Sequence, residues 1–198
     1  TAMQSIEGAI DEGVKRGKTR IETAERAKES IAPTTKLEEA ARVALVIEAV
    51  PEQLDLKRKI FGRLDALAPA HTILASNTSS LSISAIAAAT QRPERVIGLH
   101  FFNPAHLMRL VEIIRGDLTG DAPVSTCRDF VETLGKTPVL CKDSPAFIVN
   151  RIARPFYGEA LRMLGEGVAD HQSIDRLISS LGFRMGPFEL LDLISIDI

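Results

Sequence analysis

The sequence predicts an α/β fold: a doubly wound, mostly parallel sheet covered by helices, followed by an all-helical second domain. Two observations carry that expectation. From residue 43 to residue 141, short continuous apolar runs alternate with amphipathic stretches, the pattern of strands buried on both faces. After Asp143-Ser144-Pro145 the apolar runs cease and only helical periodicity continues. The domains are therefore expected to be residues 1–143 and 144–198.

The elements follow in order. Ile6, Ala9, Ile10 and Val14, then Ile21, Ala24 and Ala27, read as two helical segments broken near Gly17. Val43 to Ile47 is a short buried strand, and Leu54 to Leu67 an amphipathic helix. Thr72 to Ser76 is a second strand and Ile83 to Ala89 a short helix. Val96 to Phe102 and Leu110 to Ile114 are the third and fourth strands. A helix from Pro123 to Leu134 has proline in its first turn and Gly135 at its end. Val139 to Cys141 closes the sheet, and helices follow at 146–165, 171–181 and 187–195. No Gly-x-Gly-x-x-Gly occurs. A doubly wound sheet does not normally begin with a helix, so the first strand, its glycine turn and a second strand are expected to be missing, and the helical domain to be truncated.

Composition excludes several classes. The 198 residues are 45% hydrophobic and 25% charged, ordinary for a globular chain. A net charge of −2, without a basic stripe interleaved with aromatics, argues against nucleic acid as a partner. No apolar run is long enough to span a bilayer, and the first residues have no signal core, so no membrane partner is expected. Cys127 and Cys141 are too few for a disulfide framework or a zinc site, so no metal is expected and a reducing interior is. Cys141 is expected to pack as a small apolar residue.

The chemistry concentrates at strand ends, where open α/β sheets bind ligands. Three polar clusters fall there: Glu48, then Ser76-Asn77-Thr78-Ser79-Ser80, then His100 with Asn103. His100 ends an apolar run, and Glu112 lies at the start of the next. An imidazole titrates near neutrality, and a carboxylate can hold its tautomer and stabilise its cation, as a base acting on an alcohol requires. The duller alternative is a buried histidine beside a salt-bridged glutamate. Ser76 to Ser80 can equally supply a helix cap, and one of them is expected to do so. Glu52 and Lys57 read alone as a first-turn acid and a solvated lysine, and Asn150 as an ordinary helix residue. Lys15, Arg16, Lys18 and Arg20 read as a solvated helix face, and His106 as a solvated loop residue.

Five segments in order closely resemble the L-3-hydroxyacyl-CoA dehydrogenase family. They are Val46-Ile47-Glu48-Ala49-Val50, Ala75-Ser76-Asn77-Thr78-Ser79-Ser80-Leu81, the His100 to Glu112 segment, Asp143 to Arg151, and Met185 to Asp192. The resemblance runs from about residue 43 onward and is looser before it. It implies a Rossmann-like NAD-binding domain followed by a helical substrate and dimerisation domain. It also implies oxidation of (S)-3-hydroxyacyl-CoA to 3-oxoacyl-CoA, in fatty-acid β-oxidation or butanoyl-CoA metabolism, by a homodimer in the cytoplasm or mitochondrial matrix. Carried onto this sequence, His100 is the general base and Glu112 orients it, while Ser79 and Asn150 hydrogen-bond the substrate oxygens. Glu48, Glu52, Gln53, Lys57, Ser79 and Asn103 lie near the cofactor NAD; Gln53 stands where the family often has asparagine. Arg16 and Lys18 are candidates for the CoA phosphates. Alternatives are a sugar-acid dehydrogenase of the wider superfamily, or a non-catalytic structural relative. Phe101-Phe102 before Asn103-Pro104, and the full Asn-Thr-Ser-Ser run, favour the acyl-CoA branch.

Two departures stand out. Ala146 replaces a usual glycine where the chain enters the helical domain, so a positive φ there would cost alanine strain. Ser195 replaces another glycine. The missing glycine turn leaves no helix N-terminus for the pyrophosphate, so residues 1–198 alone are expected to bind NAD weakly.

Overall fold

The computed structural model describes residues 2–194; Ser195 lies outside them. The chain divides into two compact units, Thr1–Arg42 and Val43–Ile198. The first consists of helices α1 (Ala2–Lys15), α2 (Ile21–Glu29) and α3 (Leu37–Ala40). Gly17, at φ +66°, supplies the turn between α1 and α2 that the sequence predicts. Lys28 reaches back to Asp11 across the helix pair at 2.6 Å. The four-residue α3 was not anticipated, being too short to show a helical period.

The second unit holds a five-stranded sheet in the order β1-β2-β3-β4-β5. Its strands are β1 (Leu45–Glu48), β2 (Ile73–Ser76), β3 (Val96–Phe101), β4 (Leu110–Arg115) and β5 (Thr137–Lys142). The sheet is mixed: β1, β2 and β3 are parallel, β4 turns back antiparallel to β3, and β5 runs parallel to β4. The short 102–109 connection explains the reversal, since a parallel return needs a crossover of a dozen or more residues.

Side-chain alternation sets the two faces of this sheet. Ile73, Ala75, Ile97, Leu99, Val111 and Ile113 point to one face, where Val124, Cys127 and Val131 of α6 (Asp121–Thr133) complete a core. The other parity, Leu74, Val96 and Ile114, is buried on the side of α4 (Leu54–Leu67) and α5 (Ile83–Ala87). His100 and Glu112 share this second parity. So does Gly98, where a Cβ would approach the side chains of Ile114 and Ile83 to 2.7 and 2.9 Å. The α5 cap is Ser82, whose Oγ accepts from the Ala85 N–H; the expected cap within Ser76 to Ser80 is not found, because α5 begins only at Ile83.

Helices α7 (Val149–Gly165), α8 (His171–Ser180) and α9 (Pro187–Ile194) follow, with no strand after β5 among the described residues. The turn into α7 is held at both ends. Asp143 Oδ2 accepts from Ser82 Oγ and the Ser84 N–H at 2.8 and 2.7 Å. Glu112 Oε1 accepts from the Ile148 and Val149 N–H groups at 3.0 and 2.9 Å. Between these anchors Ala146 and Phe147 adopt φ of +62° and +50°. The positive φ that alanine resists is therefore present. At the α8–α9 junction, Asp175 accepts from the Phe188 and Glu189 N–H groups, and a Cβ on Gly186 would fall 2.4 Å from the Asp175 Cα.

Candidate functional site

His100 and Glu112 lie directly opposite each other in the β3–β4 register. That cross-strand placement brings His100 Nδ1 to 2.7 Å from Glu112 Oε2, with both side chains buried. Burial alone would raise the Glu112 pKa. Hydrogen bonds from His100 and from the Val149 and Ile148 N–H groups outweigh it and hold the carboxyl below its ordinary value. Glu112 is thus an anion that only accepts, so Nδ1 carries a ring proton, and the lone pair of the base form lies on Nε2. The ring is framed by Phe102, with centroids 4.4 Å apart, and by Phe147 at 6.1 Å.

His100 opens into a cavity of about 610 Å³. Ser79, Asn103 and Asn150 line it too, together with Phe102, Arg154, Tyr157, Leu193 and Ile194. Asn150 Nδ2 donates to the Ser79 carbonyl at 3.2 Å, joining the first turn of α7 to the loop after β2. The loop holding Asn103 is tied down by Lys136, whose ammonium donates to the Ala105 and Met108 carbonyls at 2.6 and 2.7 Å.

A second group of charges converges on Ser79 from the end of β1. Glu48 and Lys57 form a fully buried ion pair at 2.7 Å. Glu48 also accepts from the Val50 N–H and from Ser76 Oγ, so both its oxygens face inward. Lys57 is not the solvated lysine of the duller reading: beyond Glu48 it contacts the Val50 carbonyl and, at 3.3 Å, Glu52 Oε2. Glu52 precedes α4 and does not act as a first-turn acid. Its Oε1 accepts from Thr78 Oγ1 and from the Ser79 N–H at 2.9 Å. Partial burial would raise the Glu52 pKa, but Thr78, the Ser79 N–H and Lys57 lower it overall. Gln53 is exposed at the start of α4, and its side chain makes no capping bond there.

Arg16 and Lys18 lie in the first unit. Both are exposed, and Arg16 pairs with Glu12 one helical turn earlier at 2.7 Å. His106 is exposed, as expected. Cys127 is fully buried and its thiol is pushed up to about 12; Cys141 is half-buried and is pushed up to about 11 by burial and the nearby Glu112 and Asp143 carboxylates.

Sequence reasoning overlooked Lys136, Arg154 and Tyr157, placed Thr78 in a polar cluster without a role of its own, and missed the second duty of Glu112 at the start of α7. Arg154 and Tyr157 stand four and seven residues beyond Asn150, so a helical stripe extended from that asparagine identifies both. The Lys136 contact spans 28 to 31 residues and has no local signature.

The arrangement can accept a proton at His100 Nε2 and stabilise the resulting imidazolium through the Glu112 carboxylate. The 3-hydroxyacyl-CoA dehydrogenase NAD-binding domain model matches residues 1–144, and the C-terminal domain model of the same family matches residues 147–198. The 3-hydroxyadipyl-CoA dehydrogenase of Escherichia coli K12 is 46% identical over 198 residues, covering the whole chain and 42% of that relative. The mitochondrial hydroxyacyl-coenzyme A dehydrogenase of Sus scrofa is 49% identical over 154 residues, covering 77% of the chain and 49% of the relative. The chain thus spans less than half the length of either. The crystal structure of (S)-3-hydroxybutyryl-CoA dehydrogenase from Ralstonia eutropha superposes with a TM-score of 0.95 at 38% identity, over 98% of this chain and 69% of that one. With both domain models matched in order, the chain belongs to the 3-hydroxyacyl-CoA dehydrogenase family.

Proposed function

We propose that the protein containing this chain oxidises (S)-3-hydroxyacyl-CoA to 3-oxoacyl-CoA with NAD, and catalyses the reverse, in fatty-acid β-oxidation or butanoyl-CoA metabolism. The observation that carries this reading is the buried 2.7 Å contact between His100 and Glu112 at the wall of a cavity shared with Ser79 and Asn150. His100 Nε2 takes the 3-hydroxyl proton, and Glu112 stabilises the imidazolium as it forms. Asn150 and Ser79 orient the substrate oxygens, and the Asn150 bond to the Ser79 carbonyl fixes their spacing. Bound NAD would accept the hydride that leaves C3.

The donor set suits the nicotinamide half of that cofactor. Ser79, Asn103 and the exposed edge of Glu52 offer neutral donors and an acceptor for carboxamide and ribose groups. Glu48 and Lys57 face inward and act by holding Glu52 and the Ser79 turn in place. Arg16 and Lys18 carry exposed positive charge suited to the CoA phosphates; the Arg16–Glu12 pair is open to solvent and yields readily. In this reading residues 1–143 serve the cofactor and residues 144–198 the substrate. Exposed Ile152, Leu177 and Leu181 on α7 and just beyond, in α8 and its C-cap, support a homodimer through the helical domain. No described helix is long and apolar enough to cross a membrane, and a mitochondrial relative accords with cytoplasm or matrix.

The test is NADH oxidation with acetoacetyl-CoA, using the product of the complete reading frame. His100→Gln is expected to lower turnover by roughly 10²–10⁴. Undiminished turnover in that variant removes His100 as the base.

A further inference from the structure

We propose that Thr78 is a positioning residue for the cofactor: its hydroxyl holds Glu52, and through Glu52 the Ser79 main chain, in the geometry that receives the nicotinamide and its ribose. The inference rests on the reading of Glu52 and Ser79 given above and adds the group that sets their placement.

The first support is the direction of one proton. Thr78 is fully buried. Its Oγ1 accepts from the Leu81 N–H at 2.9 Å and, more weakly, from the Ser80 N–H at 3.4 Å. Those donors occupy the lone pairs of the oxygen, which leaves its single proton for Glu52 Oε1. Partial burial works against the Glu52 anion, and Thr78 leads the contacts that lower its pKa in spite of it. A hydroxyl donating to a carboxylate is among the stronger hydrogen bonds, and the Thr78 end of this one lies out of water.

The second support is closure. Glu52 Oε2 meets the Lys57 ammonium at 3.3 Å, and Lys57 meets Glu48 Oε1 at 2.7 Å. Ser76 Oγ donates to Glu48 Oε2 at 2.7 Å and accepts from the Thr78 N–H at 3.3 Å. Thr78 therefore completes a ring that ties the ends of β1 and β2 to the first turn of α4. Glu48 and Lys57 are sealed inside it, whereas the Glu52 side chain is 38% exposed. Glu52 is thus the charged member of the ring with room to swing outward when the Thr78 link is cut. Ser79 would follow. Its N–H donates to Glu52 Oε1 at 2.9 Å and its carbonyl accepts from Asn150 Nδ2 at 3.2 Å, so displacing Glu52 removes one of the two main-chain ties on a residue that lines the His100 cavity.

The test is a fluorescence titration of NADH into the product of the complete reading frame, beside steady-state KM values for NADH and acetoacetyl-CoA. Thr78→Val keeps the shape of the side chain and removes its proton. It is expected to weaken NADH binding by roughly 10-fold or more, the range of hydrogen bonds to charged groups, with a smaller change in the KM for acetoacetyl-CoA. Thr78→Ser keeps the proton and should stay close to native. Thr78→Cys, the size of serine but a weak donor, should follow the valine variant, and it decides the matter if Thr78→Val does not fold. In a Glu52→Ala background, Thr78→Val should add little, because the group it positions is gone. Native NADH affinity in the valine or cysteine variant overturns the proposal. So does an equal loss in Thr78→Ser, or full additivity with Glu52→Ala, the mark of a purely structural role. A native protein that binds NADH without reducing acetoacetyl-CoA refutes the acyl-CoA reading and leaves this inference to the titration; one that does not bind NADH refutes both.

Discussion

Replacing Ala146 with glycine is expected to stabilise this protein, against the usual effect of adding a glycine. Ala146 sits at φ +62°, where its Cβ crowds the backbone, and a left-handed conformation costs an L-residue about 1–2 kcal/mol. Glycine removes that strain but gains freedom in the unfolded chain, which offsets about 0.4–1 kcal/mol. The net gain is about 0.5–1 kcal/mol, or roughly 1–4 °C in Tm for a chain of this size. Phe147 provides the contrast. Its φ is also positive, at +50°, yet its ring is 2% exposed and packs beside His100. Phe147→Gly relieves the same backbone but empties a buried site, and truncating a buried aromatic costs about 3–5 kcal/mol. Thermal and urea denaturation of the two variants should therefore move in opposite directions. A Tm for Ala146→Gly at or below that of the parent refutes the reasoning, because it shows that the anchors at Asp143 and Glu112 do not impose strain on the turn.

Other outcomes follow from the same structure. Glu112→Gln can keep accepting from the Ile148 and Val149 N–H groups while its amide donates to His100 Nδ1. The proton then moves to Nε2, and turnover should fall by roughly 10²–10⁴ in steady-state assays. Gly186→Ala places a methyl 2.4 Å from the Asp175 Cα, so the α8–α9 junction must shift; a loss of about 1–3 kcal/mol is expected in urea titration, with the β3–β4 pair preserved. Glu112 and Glu52 both have lowered pKa values when folded. Their contribution is therefore fully present above the unfolded value near 4.5 and is lost as the pH falls toward the folded values. Denaturation midpoints measured from pH 6 downward should decline chiefly below about pH 4.5, and less steeply in Glu112→Gln.

The strands and most helices were legible because each buries a contiguous apolar run. The helix Leu54–Leu67 was read to its ends, since Pro51 and Gln53 precede its periodic residues and Pro69 follows them. Ends were lost where polar residues carry the ladder, as at Thr137 and Lys142 of β5, or where helical geometry begins late. The chain enters α7 at Val149 because Ala146 and Phe147 are turned left-handed, not helical. His100, Glu112, Ser79 and Asn150 were legible as a resemblance, and the cavity gathers three of them with Glu112 behind. Read without the resemblance, Lys57 passes for a solvated lysine, because charge alone does not reveal that it pairs with the buried Glu48. Thr78 and Lys136 act through partners 26 or more residues away, a separation that only the folded sheet closes.

The antiparallel pairing of β3 with β4 has a consequence for how this enzyme family can vary. His100 and Glu112 meet because the ladder counts residues from both sides, so their encounter is written into main-chain bonds and owes nothing to the hairpin that joins them. Lengthening that hairpin should leave the His100–Glu112 contact intact while reshaping the cavity wall that Phe102, Asn103 and Pro104 form. A single residue inserted within either strand would instead rotate one partner to the α6 side and disconnect them outright. Cavity shape and the buried His100–Glu112 pair can therefore vary separately on adjoining stretches of one short segment.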